Sequence, residues 1–303
     1  MVIDWLISST IEMSLLTGIV LIIRPFALRL FGANVSYSLW LIPVLGILLP
    51  SSLTRPELRW DALSEANSVA TGFVDPKGGS WTWLWLIGMA AWLAIQFYRT
   101  VLFHNRVRRT AFPVRYLPSR AHALLKEHDF KPERIFTTEN EGAPFITGLI
   151  SPKIFLPVDY RERFSDRELS WVLRHELTHI DRKDIWLRLV AEGIRALYWF
   201  NPIIHLAALV FRKDQEYACD LALVASCSPI QRYHYGKALL ASSTDQHMRA
   251  ALTFFGNRRK RYDMLGRHRR SWYRYLLGSG MSMLVGAFSL AATSVGPICI
   301  PVC

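Results

Sequence analysis

The sequence is poor in cysteine and contains no internal repeat or low-complexity stretch. Four cysteines in 303 residues are too few for the dense disulfide framework of a small secreted scaffold. The missing repeats exclude an array of stacked units. Acidic residues are also in deficit, 24 against 36 Lys and Arg, leaving a formal charge of +12. One further absence concerns the first apolar run. It has no basic leading region and no small-residue cleavage site, so it reads as a retained segment rather than a signal peptide.

What the chain has in excess is apolar and aromatic surface: 51% hydrophobic residues and eleven tryptophans. Four runs are long and apolar enough to cross a bilayer, about 5–23, 35–52, 81–98 and 275–295, with tryptophans clustered near the run ends. Glu12 interrupts the first and Pro43 the second. Residues 100–270 carry 29 Lys and Arg against 18 Asp and Glu. Arg99, Arg106, Arg108, Arg109, Arg267, Arg269 and Arg270 sit beside the runs, and Arg24 and Arg29 lie in a short link without acids. The positive-inside rule then sets 24–34 and 100–270 in the cytoplasm, with 53–80 and both termini outside. Topology and anionic lipid account for the basic residues, so no direct binding of nucleic acid is expected. Cys219 and Cys227 read as free cytoplasmic thiols. Cys299 and Cys303 form an outer C-x-x-x-C pair in which a disulfide is permitted but not required.

Three domains follow: 1–99 with three transmembrane helices, 100–270 as a cytoplasmic domain, and 271–303 with the fourth helix and a short outer tail. Within 100–270, residues 118–131 predict a short helix. RIFTTEN (134–140) and PKIFLP (152–157) predict strands of a small antiparallel hairpin sheet, with Gly142, Pro144, Gly148 and Pro152 as punctuation. The period then changes. Ser165 and Glu168 have capping-box spacing, and Leu169, Val172, Leu173, Glu176, Leu177 and Ile180 recur helically behind them. A second helix is expected over 184–199, and Asn201-Pro202 opens a third through about 225.

RHELTHID (174–181) lies about two turns into the capped helix. His175 and His179, four apart, share a face and can direct imidazoles at one ion, while Glu176 can reach a water on that ion. Zinc suits two nitrogens, a carboxylate and an open position. It acidifies water, and Glu176 would act as general base. An H-E-x-x-H alone is also what a helix with surface histidines produces by chance. A third ligand is therefore sought on a later helix, where Glu216 and Asp220 in EYACD share a face. Glu216 would bind zinc and Asp220 would hydrogen-bond a ligating histidine. The alternative is a solvated acidic pair. His205 lies about three turns before Glu216, too far along its helix to share an ion with it.

The ordered elements PFITGLISPKIFLP (144–157), LRHELTHIDRKD (173–184), YWFNP (198–202) and DQEYACD (214–220) resemble the membrane-embedded zinc metallopeptidases of the BlaR/MecR type. The resemblance implies an integral membrane, mainly α protein: four transmembrane helices and a cytoplasmic α+β gluzincin-like zinc metallopeptidase domain between helices 3 and 4. By the same resemblance His175, His179 and Glu216 bind Zn2+ and Glu176 is the base. Pro144, Phe145, Ile146 and Thr147 would offer an edge strand to substrate. The implied partners are the lipid bilayer, a cytoplasmic protein substrate such as a transcriptional repressor, and a separate envelope sensor or self-association. The implied location is the bacterial inner membrane, multi-pass.

Two departures stand out. About eight residues follow the fourth apolar run, where sensor members carry a penicillin-binding domain. Tyr198 stands where relatives often have histidine. The basic stretch 254–274 reads as membrane-surface sequence or as a site of self-cleavage within 250–262. Rival readings are a housekeeping membrane protease of the Ste24/HtpX type and a non-catalytic membrane adaptor.

Overall fold

The structure, a computed structural model, describes residues 2–48, 79–139, 142–225 and 227–242. The expected outer loop 53–80 (apart from its last two residues), the stretch 254–274 and the fourth span 275–295 lie outside them. The chain forms two compact units, cut near residues 94, 193 and 211.

The first unit draws on residues 1–94 and 194–211. Helix α1 (Val2–Leu30) is followed by α2 (Ala33–Ser38) and α3 (Leu41–Leu48). Gly32, at φ 97°, allows the turn after α1. The second apolar run is thus not one helix over its described part. Pro43 has no N–H to donate and is least costly in a helix's first turn. The break at Leu39–Trp40 places it there. Leu16, Val20, Ala27, Val35, Leu39 and Trp40 pack with Ala207 and Val210, and Met13 packs with Tyr198 and Ile204. Trp5–Leu30 and Trp81–Thr110 are long and apolar enough to span a membrane. The second belongs to α4 (Gly79–Thr110), which runs on into the other unit.

The second unit draws, among the described residues, on 95–193 and 212–242. Strand β1 (Phe112–Pro113), α5 (Ser119–Glu127), a 3-10 turn (Pro132–Arg134), β2 (Ile135–Thr138), β3 (Phe145–Thr147) and β4 (Lys153–Pro157) come first. Then follow α6 (Tyr160–Arg163), α7 (Asp166–Asp181), α8 (Asp184–Leu197), α9 (Pro202–Val224) and α10 (Pro229–Ser242). The sheet order is β1-β2-β4-β3. The two strands foreseen from RIFTTEN and PKIFLP are parallel partners, Ile135 opposite Ile154 and Thr137 opposite Leu156. The expectation of an antiparallel pair is corrected. Residues 145–147 form a strand of their own and turn back onto β4 through Gly148, so β2 is left with β4's other edge. Gly148 has φ +102°, and a Cβ there would sit 2.5 Å from the Ser151 carbonyl oxygen. Behind the sheet, Ile135, Ile154 and Leu156 pack with Leu169, Val172, Leu173, Leu177 and Tyr235.

Candidate metal centre

Helix α7 starts where the sequence says it should. Ser165 Oγ accepts from the Glu168 N–H, and Glu168 returns a carboxylate oxygen to the Ser165 N–H at 2.9 Å. A cap of this kind is worth about 1 kcal/mol. The apolar residues behind it pull one face of α7 into the core, and the periodicity carries His175, Glu176 and His179 in with them. All three are buried.

The imidazoles converge. His175 Nε2 and His179 Nε2 lie 3.2 Å apart. The Glu216 carboxylate on α9 lies 3.5 Å from His175 Nε2 through one oxygen and 3.6 Å from His179 Nε2 through the other. A tetrahedral ion with bonds of about 2.0–2.2 Å separates its ligand atoms by roughly 3.3–3.6 Å. The triangle of donors therefore fits one zinc-sized ion.

The rear nitrogens are held elsewhere. His179 Nδ1 is 2.6 Å from Asp184 Oδ2, and His175 Nδ1 is 2.9 Å from the Tyr235 hydroxyl. That hydroxyl donates to Asp220 Oδ1 at 2.6 Å. Asp220 itself stands 3.6 Å from His175 Nδ1, so it reaches the histidine through Tyr235. Each imidazole thus has its back nitrogen fixed and its front nitrogen aimed at the shared point, as outer partners of metal ligands do. Asp184 owes its place to Lys183, whose φ of 56° reverses the chain after α7. A left-handed non-glycine residue costs about 1 kcal/mol, and here it brings Asp184 back to His179.

Glu216 is braced as well. Arg188 on α8 donates to Glu216 at 3.2 Å and to the fully buried Gln215 at 2.5 Å. Gln215 in turn donates to the Asp184 carbonyl at 3.2 Å. The hydrogen bonds run His179–Asp184–Gln215–Arg188–Glu216.

The electrostatics point the same way. Burial disfavours a proton on His175, but the charge of Cys219, its hydrogen bond and that of Glu216 outweigh burial and push the imidazole up to about 10. His179 is raised against burial by Asp184, Cys219 and Glu216. Burial also pushes Glu176 above the usual carboxylate range, opposed by the two histidines. Buried carboxylates around two imidazoles make a pocket that favours positive charge, which a proton or a metal ion can supply.

Cys219 offers a rival third donor, since its sulfur also lies close to both histidines. Its Sγ is 3.6 Å from His175 Nδ1 and 3.7 Å from the His175 carbonyl oxygen, and it also hydrogen-bonds His179. One imidazole cannot turn both nitrogens to one ion, and Nδ1 already faces Tyr235. The Glu216 set is the better fit.

Of the residues singled out from sequence, His175, Glu176, His179, Glu216 and Asp220 come together here. Pro144, Phe145, Ile146 and Thr147 lie at β3, the sheet's outer strand. Phe145 stacks on Phe155 at 5.1 Å and meets Phe103 of α4, and Thr147 Oγ1 lies 3.1 Å from His104 Nε2. His205 hydrogen-bonds the Trp199 carbonyl and Arg195 in the first unit. Sequence reasoning missed Asp184, Arg188, Gln215 and Tyr235. Asp184 ends the quoted run LRHELTHIDRKD, and its position at a helix start five residues after His179 was a usable signal. Tyr235, on a helix 60 residues away from His175, had none.

Comparison with known proteins supplies the family. The chain is 21% identical over 275 residues to the methicillin resistance mecR1 protein of Staphylococcus aureus, covering 78% of this chain and 46% of that one. The same figures hold for the mecR1 protein of Staphylococcus epidermidis. It is 28% identical over 160 residues to the regulatory protein BlaR1 of Bacillus licheniformis, covering 52% of this chain and 26% of that one. The chain therefore spans less than half the length of these relatives. The model of the BlaR1 peptidase M56 family, a family of metallopeptidases, matches residues 5–258, and the protein belongs to that family.

Proposed function

We propose that the chain is a multi-pass membrane zinc endopeptidase that hydrolyses a peptide bond of a cytoplasmic protein during signal transduction. The observation that carries this reading is the triangle of His175, His179 and Glu216 donors, 3.2–3.6 Å on a side, with the Glu176 carboxyl on the same buried face of α7. His175 and His179 would hold the ion through Nε2 and Glu216 through its carboxylate. Zinc, when bound, supplies Lewis acidity to water and to the scissile carbonyl. Glu176 takes the proton of the attacking water and hands it to the leaving amine. Its raised pKa helps the second half of that exchange, because a carboxyl held above its ordinary range keeps the proton longer. Asp184 and Tyr235 fix the two imidazoles, and Arg188 steadies Glu216. On this reading β3, with one edge unpaired among the described residues, takes the substrate as an added strand around 144–147. α1 and α4 cross the bacterial inner membrane, and the second unit faces the cytoplasm. A regulatory substrate such as a repressor is in keeping with the name of one relative, the regulatory protein BlaR1.

The test compares wild type with Glu176→Gln in cells and as purified full chains. Cleavage should fall by about 10²–10⁴, the usual worth of a general base, with zinc content unchanged. The proteins that accumulate uncut in the variant identify the substrate. Equal behaviour of the two chains would mean a binding adaptor rather than a peptidase.

A further inference from the structure

Residues 194–211 contain a single charged side chain, Arg195, and cluster with α1–α3 and the first half of α4. They comprise the end of α8, the turn at Tyr198–Asn201 and the start of α9. One side of this hairpin is packed: Tyr198 and Ile204 against Met13, and Ala207 and Val210 against the α1–α3 core. The other side is exposed among the described residues. Phe200, Ile203, Leu206 and Leu209 are each 37–53% exposed, and the last three recur at helical spacing along one stripe.

Its depth can be read from its partners. Asn201 Nδ2 donates to Ser14 Oγ at 2.8 Å, and Trp85 Nε1 donates to the Leu197 carbonyl at 2.9 Å. Trp199 lies over Gly88 so closely that a Cβ there would meet its ring at 2.2 Å. Ser14 lies about 14 Å of helix beyond Trp5, close to half of a 30 Å hydrocarbon core. The turn therefore sits beside the middle of α1's apolar run.

Its hydrogen bonding is also what that depth requires. Leu197 and Trp199 lie where a helix end leaves carbonyls unpaired, and they accept from Trp85 and His205 at 2.9 and 2.7 Å. Asn201 Oδ1 caps α9 by accepting from the Ile203 N–H at 3.0 Å. A turn in water has no need of this, whereas inside a bilayer each unpaired group costs several kcal/mol. Arg195 lies over the Trp92 ring at 5.1 Å and donates to His205.

We propose that residues 194–211 form a re-entrant helical hairpin whose stripe of Phe200, Ile203, Leu206 and Leu209 touches the acyl chains of the bilayer. The inference rests on the reading of α1 and α4 as spans. It is new to the account of 100–270 as a purely cytoplasmic segment. Glu216 follows seven residues after Leu209 in the same helix, so the third metal ligand is carried by a helix that begins in lipid.

The test is spin labelling of single cysteines in the full chain, reconstituted in phosphatidylcholine/phosphatidylglycerol vesicles. Cys227, Cys299 and Cys303 are replaced by serine and the buried Cys219 is kept. Labels at Leu206→Cys, and at Leu209→Cys should the first variant be poorly made, should collide with oxygen several-fold more than with aqueous chromium oxalate. A label at Ile150→Cys, at the 91% exposed tip of the β3–β4 turn, should show the reverse. Ile87→Cys on the open face of α4 should behave as Leu206→Cys. Chromium access at 206 with lipid exposure at 87 would overturn the hairpin alone. Chromium access at both would overturn the membrane reading beneath it. Shielding of 206 from both reagents would mean a protein partner there and would also overturn the proposal.

Discussion

The two units of this chain are built inside out relative to one another in composition. The first turns apolar side chains outward: Ile22, Phe26, Trp83 and Ile87 are each more than 60% exposed. The second turns polar ones inward: His175, Glu176, His179, Asp184, Asp214, Gln215 and Asp220 are all buried. In water the first arrangement would aggregate and the second would be costly, because a buried polar group without a partner loses about 1–3 kcal/mol. Each becomes sensible once its solvent is named. On the proposed reading, lipid covers the apolar exterior, and a metal ion with its ring of hydrogen bonds compensates the polar interior. The difference teaches that exposure alone classifies neither region; what matters is whether each group meets a partner of its own kind.

That contrast can be broken from either side. Beyond the general-base substitution, the largest effect is expected from Ile87→Arg on the open face of α4. Ile87 lies about 9 Å of helix inside the span that begins at Trp81, where a charge costs up to about 2.5–3.5 kcal/mol of insertion. Membrane fractionation should show a marked loss of integrated chain, while Ile150→Arg in the second unit should insert normally.

Asp184→Asn comes next. Removing the charge behind His179 should weaken metal binding by about 10–100-fold, read as the zinc affinity of the purified chain by chelator competition. Metal affinity should also fall as pH falls, because His175, pushed up to about 10, must lose its proton to solvent before it can bind the ion. The sign is fixed: more protons, less metal. Titration of zinc affinity between pH 8 and 6 checks it.

The smallest effect is expected at Lys183. Glycine at φ 56° relieves the left-handed strain, so Lys183→Gly should change stability by no more than about 1 kcal/mol and leave zinc affinity intact. Denaturant unfolding of the solubilised chain measures the first and chelator competition the second.

The parts of the structure written in local periodicity were legible in the sequence. Ser165 and Glu168 announced α7, the four-residue spacing put His175 and His179 on one face, and Asn201-Pro202 announced α9. Glu216 could be found because it shares a helix face with Asp220. Features that depend on non-local pairing were not legible. The parallel register of β2 and β4 depends on β3 taking β4's other edge, which no repeat of apolar residues encodes. Asp184 reaches His179 through one left-handed residue, and Tyr235 arrives from a separate helix. In sequence, 194–211 reads only as the end of one cytoplasmic helix and the start of the next, because Arg195 and Asn201-Pro202 interrupt its apolar run below spanning length. Only its partners, Ser14 and Trp85, reveal where it sits.

Zinc-edge X-ray absorption on the purified 303-residue chain reads the metal's neighbours themselves. Nitrogen and oxygen neighbours at about 2.0–2.2 Å are expected from His175, His179 and Glu216, with one light-atom neighbour lost in Glu216→Ala. A sulfur at about 2.3 Å that disappears in Cys219→Ser, with Glu216→Ala leaving the shell unchanged, would contradict it.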